Sequence, residues 1–406
     1  MFYLGIDVAL NTHRLVMLDD NGERVSSGLS FQNNTVDFEK VLRKLKELSI
    51  NPDNSIAGLE ATGNNWENLY CFFTDKGFRV IVLNPHQTNK FREALRKKAK
   101  TDDIDAFVIA GLLRSNEFAS SYVPEDKIQT LRELTKLRYE FIKDHKNYQR
   151  QVLALLNVIF PEYRKTALKN PFTIASTAIF KAFSTAKHLS IAKPKHIEKI
   201  VRSIKGNNFN VKEIENLISI AKTSVYSGRC QESRALTLNI LLTQVESFSN
   251  SIQQLDEQVN LILSPASNDN SNSFPGSNLL TIPGVGPKTL AAILSCVGES
   301  GQAFSNGVKL IGHIGFFPQI YESGETKRAN RMSNKGPAYL RHAFYIASVA
   351  CLKHNIQLRN LYHTKISQGK KPKQALICVA KKLAHVCLSM LHSGQDYNPA
   401  RVFSYV

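Results

Sequence analysis

Lys100-Thr101-Asp102-Asp103-Ile104-Asp105-Ala106 opens an apolar-periodic run through Ile104, Phe107, Val108, Ala110, Gly111 and Leu112. That period predicts a helix with the acids in its first turn. Asp102 and Asp105 are three residues apart, so they share a helix face and could hold one hard cation between them. Acids following a Thr at a helix start also serve in ordinary capping and dipole chemistry, and the heptapeptide alone leaves both uses open. Asp103 points about 100° away from Asp102 and is the weaker candidate ligand. Two further carboxylates stand in strand-like company. Asp7 interrupts Phe2-Tyr3-Leu4-Gly5-Ile6-Asp7-Val8, and Glu60 ends Ser55-Ile56-Ala57-Gly58-Leu59-Glu60. A carboxylate in or at the end of a buried strand is costly unless a partner or metal neutralises it. Asp7, Glu60, Asp102 and Asp105 converging would form a metal site.

The elements that must position these acids follow in order. Residues 2–8, 14–19 and 24–31 predict three short antiparallel strands, with Asp19-Asp20-Asn21-Gly22 as the clearest turn. A helix near 35–48, a strand at 55–60, a helix at 65–76 and a strand at 78–83 come next, the last closed by Asn84-Pro85, read as a helix breaker and turn opener. Three strands, helix, strand, helix, strand, helix is the element order of a ribonuclease H-like (RuvC-like) domain, an analogy of fold that does not license function.

Composition bounds the rest. A chain of 406 residues with 43% hydrophobic content predicts two or three domains with real cores. No run approaches 18 apolar residues and no cleavage pattern is visible, so a soluble, cytoplasmic protein is expected. Cysteines at 71, 230, 296, 351, 378 and 387 form no CxxC pair and read as reduced thiols. His385 and Cys387 lack the second ligand pair that a zinc site requires. The formal charge of +18 is segregated: residues 1–120 hold 15 Lys/Arg against 16 Asp/Glu, residues 121–270 hold 21 against 14, and residues 271–406 hold 16 against 4. A neutral chemistry domain joined to parts that grip a polyanion fits this division, with a plain solvated basic face as the alternative.

Residues 125–160 predict a long helix with Leu134, Phe141, Tyr148 and Leu155 at heptad spacing. Residues 236–263 predict another, with Val245, Ile252 and Val259 in one series and Leu241, Phe248, Leu255 and Ile262 in the second. They could pair within one chain or across two. A basic insert at about 164–230 separates them, and Ser264 to Ser273 reads as a linker. The expected domains are therefore 1–121, a helical coiled-coil region 122–263, a linker 264–278 and a mostly α carboxy-terminal domain 279–406. In the last, Ile282-Pro283-Gly284-Val285-Gly286-Pro287-Lys288 resembles the hairpin of a helix-hairpin-helix, where glycines let amides approach phosphate. Gly284, Gly286 and Lys288 are the candidate contacts there, against a plain glycine turn before a helix. Six lysines lie between Lys365 and Lys382, with Lys370, Lys371 and Lys373 densest.

Gly5-Ile6-Asp7-Val8, Glu60-Ala61-Thr62-Gly63, Asn84-Pro85 and Lys100-Thr101-Asp102-x-x-Asp105-Ala106 resemble the DEDD-type transposases of bacterial insertion sequences, the bridge-RNA-guided recombinases related to pilin-gene invertases. The likeness continues through Ile282-Pro283-Gly284-Val285-Gly286, Tyr321-Glu322-Ser323-Gly324, Met332-Ser333-Asn334-Lys335-Gly336 and Leu340-Arg341. It implies that Asp7, Glu60, Asp102 and Asp105 bind Mg²⁺ and that Ser323 is a nucleophile forming a transient phosphoserine. It also implies donor and target DNA as substrates, a structured guide RNA and a dimeric or tetrameric assembly.

From the residues alone, Phe316 to Gly336 reads as an irregular basic loop carrying Lys327, Arg328, Arg331 and Lys335, with Arg341 beyond it. A Ser-Gly in such a loop is usually a turn; Ser333 and Tyr321 are the competing nucleophiles. Arg328-Ala329-Asn330-Arg331 departs from the family, which often has glycine there. Two other functions stay open: a Holliday-junction-type metal nuclease with water as nucleophile, and a non-catalytic nucleic-acid binder.

Overall fold

The computed structural model describes residues 1–61, 63–95, 101–118, 120–204, 209–264, 274–318, 322–323, 326–327, 332–333 and 335–403, of which 322–323 and 326–327 are described in backbone only. The chain divides into two compact units, Met1–Pro124 and Glu125–Val406.

In the first unit β1 (Phe2–Asp7), β2 (Thr12–Leu18) and β3 (Leu29–Gln32) form an antiparallel meander, followed by α1 (Thr35–Glu47), β4 (Ser55–Glu60), α2 (Trp66–Asp75), β5 (Arg79–Leu83), α3 (Pro85–Ala94) and α4 (Asp102–Ser115). The sheet runs β3-β2-β1-β4-β5, with β4 parallel to β1 and β5 parallel to β4. The period-2 alternation sends Leu4, Ile6, Leu15, Met17, Ala57 and Leu59 to one face, into a core with Phe38, Val41 and Leu45 of α1 and Leu69 and Phe73 of α2. The other face carries α4, through Val16, Leu18, Ala106 and Ala110 and through Ile81, Leu83, Ile109 and Leu113. β1 can receive the helix so closely because Gly5 has no side chain: a Cβ there would lie 2.1 Å from the Ala106 carbonyl oxygen. Gly58, paired with Gly5 across the strands, widens the same trough.

The strands and helices stand within a few residues of expectation, with one omission. Asn84-Pro85 is not only a breaker. The Asn84 side chain accepts a hydrogen bond from the His86 N–H at 2.9 Å, and Pro85 occupies the first position of α3, where its missing N–H costs nothing.

The second unit begins with α5 (Asp126–Ile159). Four short helices follow in the insert: α6 (Ile174–Ala182), α7 (Ala186–Ser190), α8 (Pro194–Arg202) and α9 (Val211–Lys222). α10 (Gln231–Leu263) then returns along α5. The heptad helices pair within this chain: Phe141 meets Phe248 edge-on at 5.4 Å, and Tyr148 lies 5.5 Å from the same ring. The insert builds a core with their ends, around Tyr163, Phe180, Leu189, Leu217 and Leu238. Of the expected linker, residues 265–273 lie outside the described residues, as do 205–208 of the insert.

The remaining elements are α11 (Pro287–Val297), α12 (Gly307–Ile314), a hairpin of β6 (Glu322–Ser323) and β7 (Thr326–Lys327), and α13 (Ala338–His354), α14 (Ile356–Ser367) and α15 (Pro372–Ser393). Their core takes in Ile128 and Leu131 of α5 and Val259 of α10, so the helical middle and the carboxy-terminal part share one hydrophobic interior. Among the described residues α15 alone is long and apolar enough to cross a membrane, and it lines that interior through Val379, Leu383, Ala384 and Cys387.

Candidate functional site

Asp7, Glu60 and the first turn of α4 stand at one end of the sheet, and the register explains why. β1 and β4 pair from Phe2↔Ser55 to Ile6↔Leu59, so the next positions, Asp7 and Glu60, stand side by side where the strands end. Both have the parity of Gly5 and Gly58 and therefore belong to the face that carries α4. α4 runs antiparallel to β1. Its last turn places Arg114 Nη1 3.3 Å from the Asp20 carbonyl oxygen, and Asp20 also binds the Met1 amino group at 2.7 Å, at the start of β1. The first turn of α4 therefore lies at the Asp7 end. Thr101 caps it, accepting a hydrogen bond from the Ile104 N–H at 3.3 Å, so the acids stand in a real cap and complement the dipole as well.

The four acids differ in surroundings. Asp105 is buried, at 8% exposure, and Arg92 Nη2 lies 2.6 Å from its Oδ1. Glu60 is half-buried, and the Thr88 hydroxyl stands 2.6 Å from its Oε2. Asp7 is half-buried, and its backbone is in register with Arg14 of β2. Asp102 is exposed. Asp103 is engaged elsewhere: Arg14 donates to Oδ1 at 2.7 Å and Arg24 to Oδ2 at 2.6 Å, and these bonds hold its carboxyl below the usual aspartate value. Asp103 therefore ties the α4 start to β2 rather than facing the other acids.

Oxygen donors of this kind suit a hard cation. Their present arrangement does not: among the described residues no three His, Cys, Asp or Glu side chains are grouped to hold a metal ion. Thr88 and Arg92, one turn apart on α3, are the residues that reading the sequence missed. The Asn84-Pro85 helix start was the signal available.

In the second unit, described residues of the stretch expected as an irregular loop are paired through their backbone. The Ser333 N–H donates to the Phe317 carbonyl at 2.9 Å, Pro318 bridges to Met332, and Glu322↔Lys327 and Ser323↔Thr326 form the hairpin, with Ser323 in its last pair. Tyr321, Arg328 and Arg331 lie outside the described residues, as does the side chain of Lys327. Ser333 is fully buried, and its hydroxyl accepts the Lys335 N–H at 3.2 Å, a structural post at the base of this stretch. Arg341 helps close that base, donating to the Ile314 carbonyl at 3.0 Å, while Lys335 is exposed.

The glycine hairpin differs from a helix-hairpin-helix. A five-residue 3-10 turn, Ser277–Thr281, stands where a first helix would be. Gly284, at φ +104°, is used for packing, since a Cβ would meet the Cys351 backbone at 2.7 Å. Gly286 opens α11 with free space around it, but Lys288 is paired with Asp256, which also binds Arg138. Lys370, Lys371 and Lys373 are all exposed at the α14–α15 turn, next to the positive end of the α15 dipole. A second basic feature is an open groove of about 520 Å³ along α5, with Lys143, Lys146 and Arg150 at its rim and Tyr139, Phe172 and His342 among its walls. Burial, reinforced by Lys146 and Arg138, lowers the His342 pKa.

Residues 4–161 match the DEDD-type transposase profile of IS110 elements, and residues 276–363 match the profile described as transposase, IS116/IS110/IS902 family. The chain belongs to the IS110/IS116/IS902 transposase family. Among relatives of this transposase, the 44.8 kDa protein of insertion element IS116 from Streptomyces clavuligerus is 22% identical, over 98% of this chain and 96% of its own. A pilin gene-inverting protein of Moraxella bovis is 21% identical over 98% and 97%, and the 43.6 kDa protein of IS110 from Streptomyces coelicolor is 23% identical over 80% and 78%. The first profile match spans all four acids of the transposase together with Thr88 and Arg92, and the second spans Ser323.

Proposed function

We propose that this transposase is a serine recombinase of an insertion element, with a ribonuclease H-like first unit whose Asp7, Glu60, Asp102 and Asp105 serve the reacting phosphate and a second unit that supplies Ser323. The observation that carries the reading is the convergence of Asp7, Glu60 and the α4 first turn at one end of a sheet. Acids gathered in this way, one of them buried, are costly unless a partner or a cation neutralises them. When bound there, a divalent cation such as Mg²⁺ supplies charge neutralisation and polarisation of a phosphate.

The chain's own part is nucleophilic. Ser323 Oγ forms a bond to phosphorus as the bond from phosphorus to a sugar oxygen of the departing strand breaks, and that oxygen takes up a proton. The phosphoserine conserves the ester, so a DNA hydroxyl can attack it later, releasing the serine and joining new strands without a nucleotide cofactor. A Moraxella relative named for pilin gene inversion supports exchange over simple cutting. The exposed Lys370, Lys371 and Lys373, with Lys335, grip phosphates. A guide RNA directs the choice of donor and target, and an oligomer brings the two duplexes together.

The test is adduct trapping. A substrate nicked beside the scissile bond lets the leaving strand diffuse away, and a covalent protein–DNA adduct should accumulate and map to Ser323. Ser323→Ala should lose it by about 10³-fold or more, Ser333→Ala should keep it, and Asp7→Asn should prevent it while leaving DNA affinity nearly intact. Cleavage by Ser323→Ala at the wild-type rate, with no adduct from any variant, would sink the serine mechanism in favour of a hydrolytic nuclease.

A further inference from the structure

We infer that Arg92 is the resident counter-ion of the carboxylate end and is exchanged for the divalent cation as that cation binds. Its guanidinium lies 2.6 Å from Asp105 Oδ1, with side-chain exposures of 15% for Arg92 and 11% for Asp105. In so dry a place a carboxylate is stable only beside a positive charge, and Arg92 supplies it. A guanidinium at that distance fills the space in which a cation would approach the same oxygen, and two positive centres on one buried oxygen repel each other.

Two features suit α3 to release the acids. The Arg92 Nε–H is buried with no hydrogen-bond partner, so only part of the guanidinium fork is satisfied in this arrangement. The single Thr88 hydroxyl proton has two acceptors in reach, Glu60 Oε2 at 2.6 Å and the Pro85 carbonyl at 3.0 Å, so Thr88 can give up Glu60 without being left unpaired. Thr88 and Arg92 are one turn apart, and a small displacement of α3 would withdraw both from the acids together. Arg92 is thus a positioning residue: it holds Asp105 while no cation is present and sets the affinity for the one that arrives.

The inference rests on the carboxylates holding a cation, and the experiment separates the two ideas. Mn²⁺ is titrated into the full-length protein, with free Mn²⁺ read by electron paramagnetic resonance. Arg92→Ala and Arg92→Gln should bind about tenfold more tightly or better than wild type, because a competing charge has gone, and Arg92→Lys should stay within a few-fold of wild type. Wild type itself gives a second measurement that requires no variant to fold. Phenylglyoxal labelling of Arg92, mapped by mass spectrometry, should accelerate when Mn²⁺ is added. Equal or weaker binding by folded Arg92→Ala, or labelling that Mn²⁺ slows or leaves unchanged, overturns the exchange. Binding that Asp7→Asn abolishes while Arg92→Ala leaves it unchanged overturns the exchange alone; no Mn²⁺ binding by wild type overturns the metal reading and the exchange with it.

Discussion

The first unit sets its acids by the packing of a core, and the second carries Ser323 in a short hairpin. Asp7 and Glu60 stand where they do because β1 and β4 pair in register, and Asp105 because α4 lies in a trough that only glycine permits. Ser323 is placed by two backbone pairs of a short hairpin whose base is closed by Arg341, Ser333 and the Phe317 carbonyl. Charge divides in the same sense: residues 1–120 are balanced, at 15 Lys/Arg against 16 Asp/Glu, whereas residues 271–406 carry 16 against 4. Groups that must hold a cation require a rigid frame and a local balance of charge. Groups that must meet a long polyanion benefit from cationic surface, which the exposed lysines of the α14–α15 turn provide.

The largest test of this contrast is at the glycines. Gly5→Ala should destabilise the first unit by about 3 kcal/mol or more, because its Cβ would lie 2.1 Å from the Ala106 carbonyl oxygen and 2.4 Å from the Ala110 nitrogen, both helix backbone that cannot step aside. Gly286→Ala should change stability by less than about 1 kcal/mol, since a Cβ there meets open space. Thermal unfolding of the full chain, followed by circular dichroism, measures both, and equal losses would remove the distinction between core-set and surface glycines.

At the basic surface, replacing Lys370, Lys371 and Lys373 together by Gln should flatten the salt dependence of duplex binding, by about 0.9 in log–log slope for each phosphate no longer neutralised. Fluorescence anisotropy from low to moderate salt reads the slope; an unchanged slope would make the cluster a solvated face.

The smallest effect sharpens the comparison from within the second unit, where one acid is paired instead of gathered. Burial pushes the Asp256 carboxyl up, but its hydrogen bonds from Arg138 and Lys288 outweigh burial and hold the pKa below the usual aspartate value. A depressed folded-state pKa gives stability that is present above the unfolded value and is lost as pH falls through the folded one. Acid unfolding below about pH 4 should therefore include an Asp256 contribution that Asp256→Asn lacks, with a cost at neutral pH of about 1–3 kcal/mol. An identical acid profile for the two proteins would show that the pair contributes nothing measurable.

Much of the fold was legible because hydrophobic period survives in local sequence. The alternation of residues 2–8 and 55–60 and the heptads through Phe141 and Phe248 mark strands and helices without reference to distant residues. Asn84-Pro85 was read as a stop, yet the same two residues cap and open α3. The stretch around Ser323 shows no strand period because its pairing is carried by backbone bonds, which any side chain allows.

By itself, the sequence singled out the candidate residues: the strand-end acids, the acidic first turn of α4, the serine before a glycine and the segregated basic charge. It also determined family membership, because motif order along a chain survives when overall identity is low. Only the tertiary structure decided what each group touches. Thr88 and Arg92 reach Glu60 and Asp105 across 28 and 13 residues, Arg14 takes Asp103 out of the acid group across 89, and Asp256 holds Lys288 across 32. Such pairings depend on strand register and helix packing, which bring together residues that no local spacing relates, so partners and burial are properties of the folded chain alone.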